Sequence, residues 1–258
     1  MEFFDSHSHL NDEQFNEDRY ELIKKMKEEN IGKFLTCGYN LEGSKKAIEI
    51  AENCDFTYAT VGVSPNDIPQ NEDKLWKDIA EIEQIAQKKK VVAIGEIGLD
   101  FYWNKDNKEL QIEAFNRQIE IANKLDLPIV IHTREAVMDT LNVIKENNVK
   151  NKGVFHCCPL NRELVKEALK LDFFISFSGV ITFKNAKNAD EIIDMVTIDR
   201  ILIETDSPYL SPEPFRGTRN TPINVKKVAE KIANVKKMSV EDVAKSTFDN
   251  TCKLFKIE

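Results

Sequence analysis

The sequence predicts an α/β protein of the (β/α)8 barrel type, and three observations carry that prediction. Eight strand-like apolar runs follow one another along the chain, separated by amphipathic helical stretches. The runs are nearly continuous in Val, Ile, Leu and Phe, as strands covered on both faces are. The position after the first run, where an open doubly wound sheet would carry a glycine-rich phosphate loop, holds HSHLNDEQF instead.

In chain order the strand-like runs are EFFDSH, KFLTCG, FTYATVGV, VVAIGEIGL, LPIVIH, GVFHC, FFISFSG and RILIETD. Between them lie ELIKKMKEEN, GSKKAIEIAEN, WKDIAEIEQIAQ, LQIEAFNRQIEIANKL, REAVMDTLNVIKEN, RELVKEALKL and ADEIIDMV, each with apolar residues three and four apart, the spacing of one helix face. After Asn220, INVKKVAEKIANV and VEDVAKSTFDNTCKLF read as extra C-terminal helices. No Pro/Gly/Ser linker, low-complexity segment or repeat divides the chain, so residues 1–258 are read as a single domain.

Composition narrows the functional classes. With 41% hydrophobic and 31% charged residues the chain is ordinary for a soluble globular protein, and nothing approaches the ~20 consecutive apolar residues that span a bilayer. No membrane partner is expected. The start, MEFFDSHSHL, lacks a basic leader followed by an apolar stretch, so no secretory signal is expected. Five cysteines without a CxxC pair fit a reducing cytoplasm, and Cys157 and Cys158, although they follow His156, are expected to pack as small hydrophobes. A net charge of −8 excludes a broad basic face for coating nucleic acid, but not a nucleic-acid substrate held by a few local cations. The densest basic run, Lys88 to Lys90, closes a helical pattern and reads as a solvated helix end.

The chemistry lies in the histidines. All four, His7, His9, His132 and His156, end strand-like runs, and Glu96 and Asp206 occupy equivalent places. Strand alternation would turn Asp5, His7 and His9 to one face. A lone His-x-His is a weak signal, and a lone buried histidine is more often a satisfied core residue. Six donor groups from five strands, all at carboxyl ends where barrel active sites are built, argue for more. They exceed what one four- to six-coordinate ion needs, which suggests two divalent cations sharing a carboxylate. Such a centre suits phosphate-ester hydrolysis; it also hydrolyses amides and carboxylic esters, and spacing alone does not separate these.

FFDSHSHLN, LPIVIHTREAVMD and ILIETDSPYL resemble the three signature segments of the TatD family of metal-dependent deoxyribonucleases, and GEIGLDF, RGTRN and NTCKLF are similar to its remaining landmarks, in the same order. The resemblance implies an amidohydrolase-like (β/α)8 barrel, two divalent cations (Mg, Mn or Zn) and hydrolysis of phosphodiester bonds in DNA. Residues matching His7, His9, Glu96 and Asp206 would hold one ion, and those matching Glu96, His132 and His156 the other, with Glu96 as the catalytic bridge. Asp206 is the expected general base as well as a ligand. Glu204 is expected to orient ligands, and Asp100 either to do the same or to act as a turn residue.

Substrate contacts are expected from Arg134, Arg216 and Arg219, whose guanidinium groups suit phosphate, and each of these could equally hold a loop by a salt bridge. Phe101, Tyr102 and Trp103 could stack on unpaired bases, with at least one of them packing on the barrel rim. Two departures from the family pattern bear on substrate. VGVSPND places Ser64 and Asn66 where a Gly-x-His-Pro-His element is usual, and CPL follows His156. Both hydroxyl and amide can donate hydrogen bonds, but neither carries charge. The primary expectation is a DNA hydrolase acting on single-stranded or damaged ends, with no obligate protein partner. The alternatives are the same centre acting on a mis-esterified aminoacyl-tRNA, a small phosphate ester or an amide, and a metal-binding protein without catalysis.

Overall fold

The computed structural model describes residues 1–258. Eight parallel strands follow one another in a single sheet: β1 (Phe3–Ser8), β2 (Ile31–Cys37), β3 (Thr57–Val61), β4 (Val91–Asp100), β5 (Ile129–Arg134), β6 (Gly153–Phe155), β7 (Phe174–Phe177) and β8 (Ile201–Ile203). The connecting helices are α1 (Arg19–Glu28), α2 (Leu41–Glu52), α3 (Glu72–Ile85), α4 (Lys108–Leu125), α5 (Val137–Glu146), α6 (Arg162–Lys170) and α7 (Ala189–Met195); α8 (Val225–Lys236) and α9 (Val240–Phe255) follow the last strand. This is the predicted barrel with its extra C-terminal helices. Asn40, Asn71, Asn161 and Ser239 cap α2, α3, α6 and α9 by accepting from a backbone N–H of the first turn, each such cap contributing about 1 kcal/mol. No helix is long and apolar enough to cross a membrane.

Between β8 and β1 the barrel is closed by bonds beside the candidate ligands. The amide of Asp206 donates to the His7 carbonyl (2.9 Å) and that of His9 to Ser207 (2.7 Å). The buried Asp5 carboxylate accepts from both the amide (2.9 Å) and the hydroxyl (2.6 Å) of Thr205. Asp5 therefore does not join His7 and His9, as simple alternation predicts. The register of β1 against β2 shifts between Asp5 and Ser8, and a matching irregularity in β4 lies between Ile94 and Ile97. Bulges of this kind re-aim side chains. One encloses His7 and the other Glu96.

Two apolar layers support this frame. Strand residues facing outward pack with the helices, whereas Phe4, Leu35, Val92, Val130, Val154, Phe174 and Leu202 meet in the interior. Leu254, Phe255 and Ile257 join that inner cluster, so the end of α9 closes the barrel floor opposite the histidines.

Two predicted positions shift. Glu96 and His132 lie inside their strands, because β4 and β5 stay paired from Gly98–His132 through Asp100–Arg134. Gly98 permits this close approach at φ +141°: a Cβ there would stand 2.0 Å from the His132 carbonyl oxygen. The Lys88–Lys90 run lies beyond α3 and does more than solvate a helix end. Lys88 pairs with Glu52, and the ammonium of Lys90 donates to the carbonyls of Cys54, Asp55 and Thr57.

Candidate metal centre

The bulges and strand ends bring His7, His9, Glu96, His132, His156 and Asp206 to one place at the carboxyl end of the barrel. Glu96 sits in the middle. Its Oε2 lies 3.5 Å from His7 Nε2 and 3.6 Å from His9 Nε2, and those two nitrogens are 3.2 Å apart. Asp206 Oδ1 completes that group at 3.7 Å from His7 Nε2 and 3.3 Å from His9 Nε2. The other oxygen of Glu96, Oε1, faces His132 Nδ1 at 3.0 Å and His156 Nε2 at 3.5 Å, with 3.2 Å between these nitrogens.

The four imidazoles meet nitrogen to nitrogen in two pairs, each facing one Glu96 oxygen; an N–H of one ring can donate to the other, but three donor atoms converging on one point is also the arrangement that holds a cation. Donors bonded to one cation at ~2.1 Å stand roughly 3–3.5 Å from each other. The spacings here fall in or just beyond that range, and the set of imidazoles plus carboxylates suits Zn, Mn or other divalent ions. The residues fit the metal that the fold implies.

The electrostatics agree. Burial penalises the Glu96 carboxylate, but His156, His132 and His7 outweigh it and hold the group well below the ordinary range. Burial likewise opposes a charge on His9, yet Asp206 and Glu96 lift it to about 9. His132 and His156 are raised in the same way against burial, the first by Asp100 and Glu96, the second by Glu96 and Glu204. Only His7 is pushed down, by burial and then by the neighbouring His156 ring, which stacks on it at 4.0 Å between centroids. The carboxylates thus favour positive charge that a crowd of buried imidazoles is poorly placed to hold as protons.

Three of the imidazoles have a group behind them, and His7, whose Nδ1 is buried without a hydrogen-bond partner, does not. His9 Nδ1 donates to the Cys37 carbonyl (2.9 Å), and His132 Nε2 lies 2.9 Å from Asp100 Oδ2. Glu204 Oε1 accepts from the Cys157 amide (2.6 Å) and lies 3.5 Å from His156 Nδ1. Asp100 combines its two expected roles: Oδ2 faces His132, while Oδ1 accepts the amides of Tyr102 (2.9 Å) and Trp103 (3.0 Å). Despite partial burial, these bonds, led by that to His132, hold Asp100 down to about 2. Asp206 and Cys157 take the left-handed backbone region (φ 55° and 38°), a strained choice that concentrates at functional sites.

The centre opens into a cavity of about 770 Å³. Ser64, Asn66 and Arg134 line it; Ser64 Oγ reaches Glu96 Oε1 at 3.5 Å, and the Asn66 amide donates to Asp100 at 3.2 Å. Arg216 and Arg219 do not line it. Arg219 forms a two-pronged pair with Asp18 and donates to the Gln14 carbonyl (2.6 Å), and Arg216 stacks over Phe183 at 3.8 Å. Cys158 packs in the core as expected, but Cys157 lines the cavity, its Sγ 3.1 Å from Ser178 Oγ. Sequence reasoning assigned no role to Tyr39, Asp67 or Tyr209, which also line the cavity. The strand-end rule applied to VGVSPND would have singled out Asp67, while Tyr209, whose hydroxyl donates to Asp12 (2.9 Å), lies in the ILIETDSPYL segment that carries the family resemblance.

Fold and donor set together define the class: a (β/α)8 barrel with an imidazole–carboxylate centre at the carboxyl ends of its strands. The model of the TatD related DNase family matches residues 4–256, and the chain belongs to that family. It is 42% identical over 255 residues to the uncharacterized metal-dependent hydrolase YabD of Bacillus subtilis, an alignment covering 98% of this chain and 99% of the other. Among solved structures it resembles the TatD homologue YjjV of Escherichia coli (TM-score 0.93, 24% identity, 99% and 98% covered). It also resembles an uncharacterized amidohydrolase of Saccharomyces cerevisiae (TM-score 0.83, 19% identity, 99% and 100% covered).

Proposed function

We propose that this metal-dependent hydrolase of the TatD family cleaves phosphodiester bonds in DNA, using a centre for two divalent cations bridged by Glu96. The observation that carries the reading is the division of the Glu96 carboxylate, one oxygen toward the His7 and His9 nitrogens and the other toward those of His132 and His156. Cations held there would supply Lewis acidity, activating water near neutral pH and offsetting charge on phosphoryl oxygens.

The chain supplies the rest. Burial works against charge on Asp206, but its hydrogen bond with His9 prevails and holds the carboxyl below the usual range, so it is ionised at neutral pH and able to accept the proton of an attacking water. Arg134, on the cavity wall and in no ion pair, offers a guanidinium to a phosphate. Ser64 and Asn66 add neutral donors beside it. The cavity is of the size that encloses a nucleotide-sized group.

The test is cleavage of end-labelled single-stranded and duplex oligonucleotides by protein loaded with Mg or Mn. Cleavage is expected, with Asp206→Asn lowering kcat by on the order of 10² to 10⁴. DNA left intact while amino acid is released from mischarged tRNA, or phosphate from a small ester, would overturn it.

A further inference from the structure

Three consecutive aromatics follow β4, and the structure treats them differently. Phe101 is buried, under the Lys108 ammonium. Tyr102 and Trp103 are 43% and 66% exposed, among only five aromatic side chains so open to solvent. They meet edge to face at 4.8 Å, and the Arg134 guanidinium covers the Tyr102 ring at 4.0 Å and lies 5.5 Å from Trp103. Trp103 and Arg134 line the same cavity as the metal centre.

A tryptophan this exposed contributes little burial to the fold, and ordering it in water costs side-chain entropy. This one is nevertheless held. The Tyr102 and Trp103 amides both donate to Asp100 Oδ1, the carboxylate whose other oxygen faces His132. One side chain therefore fixes the aromatic pair relative to a candidate ligand, and Arg134 follows His132 by two residues on β5. The result is a cation-backed pair of aromatic rings, set edge to face, on a backbone anchored beside the place where a phosphate would react.

We infer that Tyr102, Trp103 and Arg134 form a stacking platform for an unpaired base of the substrate strand, next to the phosphate being cleaved. The inference rests on the DNA reading above and deepens it: the preferred substrate is a strand whose bases are free. A base in a duplex has both faces covered by its neighbours and does not reach a platform without unstacking. The guanidinium contributes twice, stacking through its plane and attracting phosphate through its charge.

Trp103 is one of two tryptophans, and Trp76 on α3 is the other. In Trp76→Phe protein loaded with Mg, the Trp103 emission is expected to be quenched by a nuclease-resistant phosphorothioate thymidine hexamer and not by an abasic backbone of equal length. In parallel, Trp103→Ala should raise KM for a single-stranded oligonucleotide roughly tenfold or more, with a much smaller effect on kcat. Equal quenching by the abasic chain, or an unaltered KM, overturns the platform. DNA cut without quenching leaves the nuclease reading standing and removes the platform. Base-dependent quenching without cleavage does the reverse.

Discussion

The two sides of the centre are built differently. On the β1 side, His7 and His9 are positioned by backbone: His9 Nδ1 donates to a carbonyl, and the segment carrying both rings is bonded to the Asp206 and Ser207 backbone across the barrel seam. On the β5–β6 side, each ring is backed by a carboxylate, His132 by Asp100 and His156 by Glu204. Backbone fixes geometry without adding charge. A carboxylate behind an imidazole makes it a stronger donor and ties its orientation to another side chain. One half is tied from behind to backbone, and the other to carboxylate side chains, of which Asp100 also bonds the amides of Tyr102 and Trp103.

Glu96 turns one oxygen to each half, so its loss should be the most severe. Glu96→Gln keeps the shape and removes the charge that two imidazole pairs share. If the centre holds the two cations proposed for it, bound divalent metal, measured per chain after reconstitution and gel filtration, is expected to fall from two ions to one or none. The kcat should drop by ~10⁴-fold or more, at or beyond the upper end for losing one acid–base group. Retention of both ions would show that the halves are independent sites.

Asp100→Asn probes the asymmetry itself. It should weaken the ion on the β5–β6 side by about 10- to 100-fold and leave the β1-side ion in place, so that a metal titration separates into two phases. Uniform weakening of both ions would mean that the two sides act as one cooperative unit and that the different backing is incidental.

The strand-end positions of His7, His156 and Asp206 were legible because apolar runs and their polar ends are local patterns, and the alternation of runs with helical stretches gave the barrel. What the sequence hid is non-local. The irregularities that turn His7 and Glu96 toward the centre are two-to-one pairings across neighbouring strands, and no one-dimensional pattern records them. Alternation alone therefore put Asp5 with the histidines, when its carboxylate in fact staples β1 to Thr205. Tyr39 reaches the cavity from the loop after β2, where nothing local sets it apart from other tyrosines.

The arginines show the same limit and give the smallest effect. In sequence, Arg134 and Arg219 are equal candidates for phosphate. In the structure Arg134 has no carboxylate partner, and Arg219 is paired with Asp18, joining the loop after β8 to the segment after β1. Arg134→Ala should cut kcat/KM for DNA by roughly 10- to 100-fold, the usual worth of a hydrogen bond to a charged group. Arg219→Ala should leave that ratio unchanged and cost less than about 1 kcal/mol of stability, since both partners are about a third exposed and salt screens them. Its pH dependence has a definite sign. The Arg219 hydrogen bonds hold the Asp18 carboxyl below its ordinary value, so the pair's contribution is complete above about pH 4 and fades as pH falls through the folded-state value. Melting temperatures of wild type and Arg219→Ala should therefore differ slightly at neutral pH and converge in acid. A gap that persists or widens in acid would mean that Arg219 acts through packing on the Phe15 ring, 4.7 Å away, and not through the ion pair.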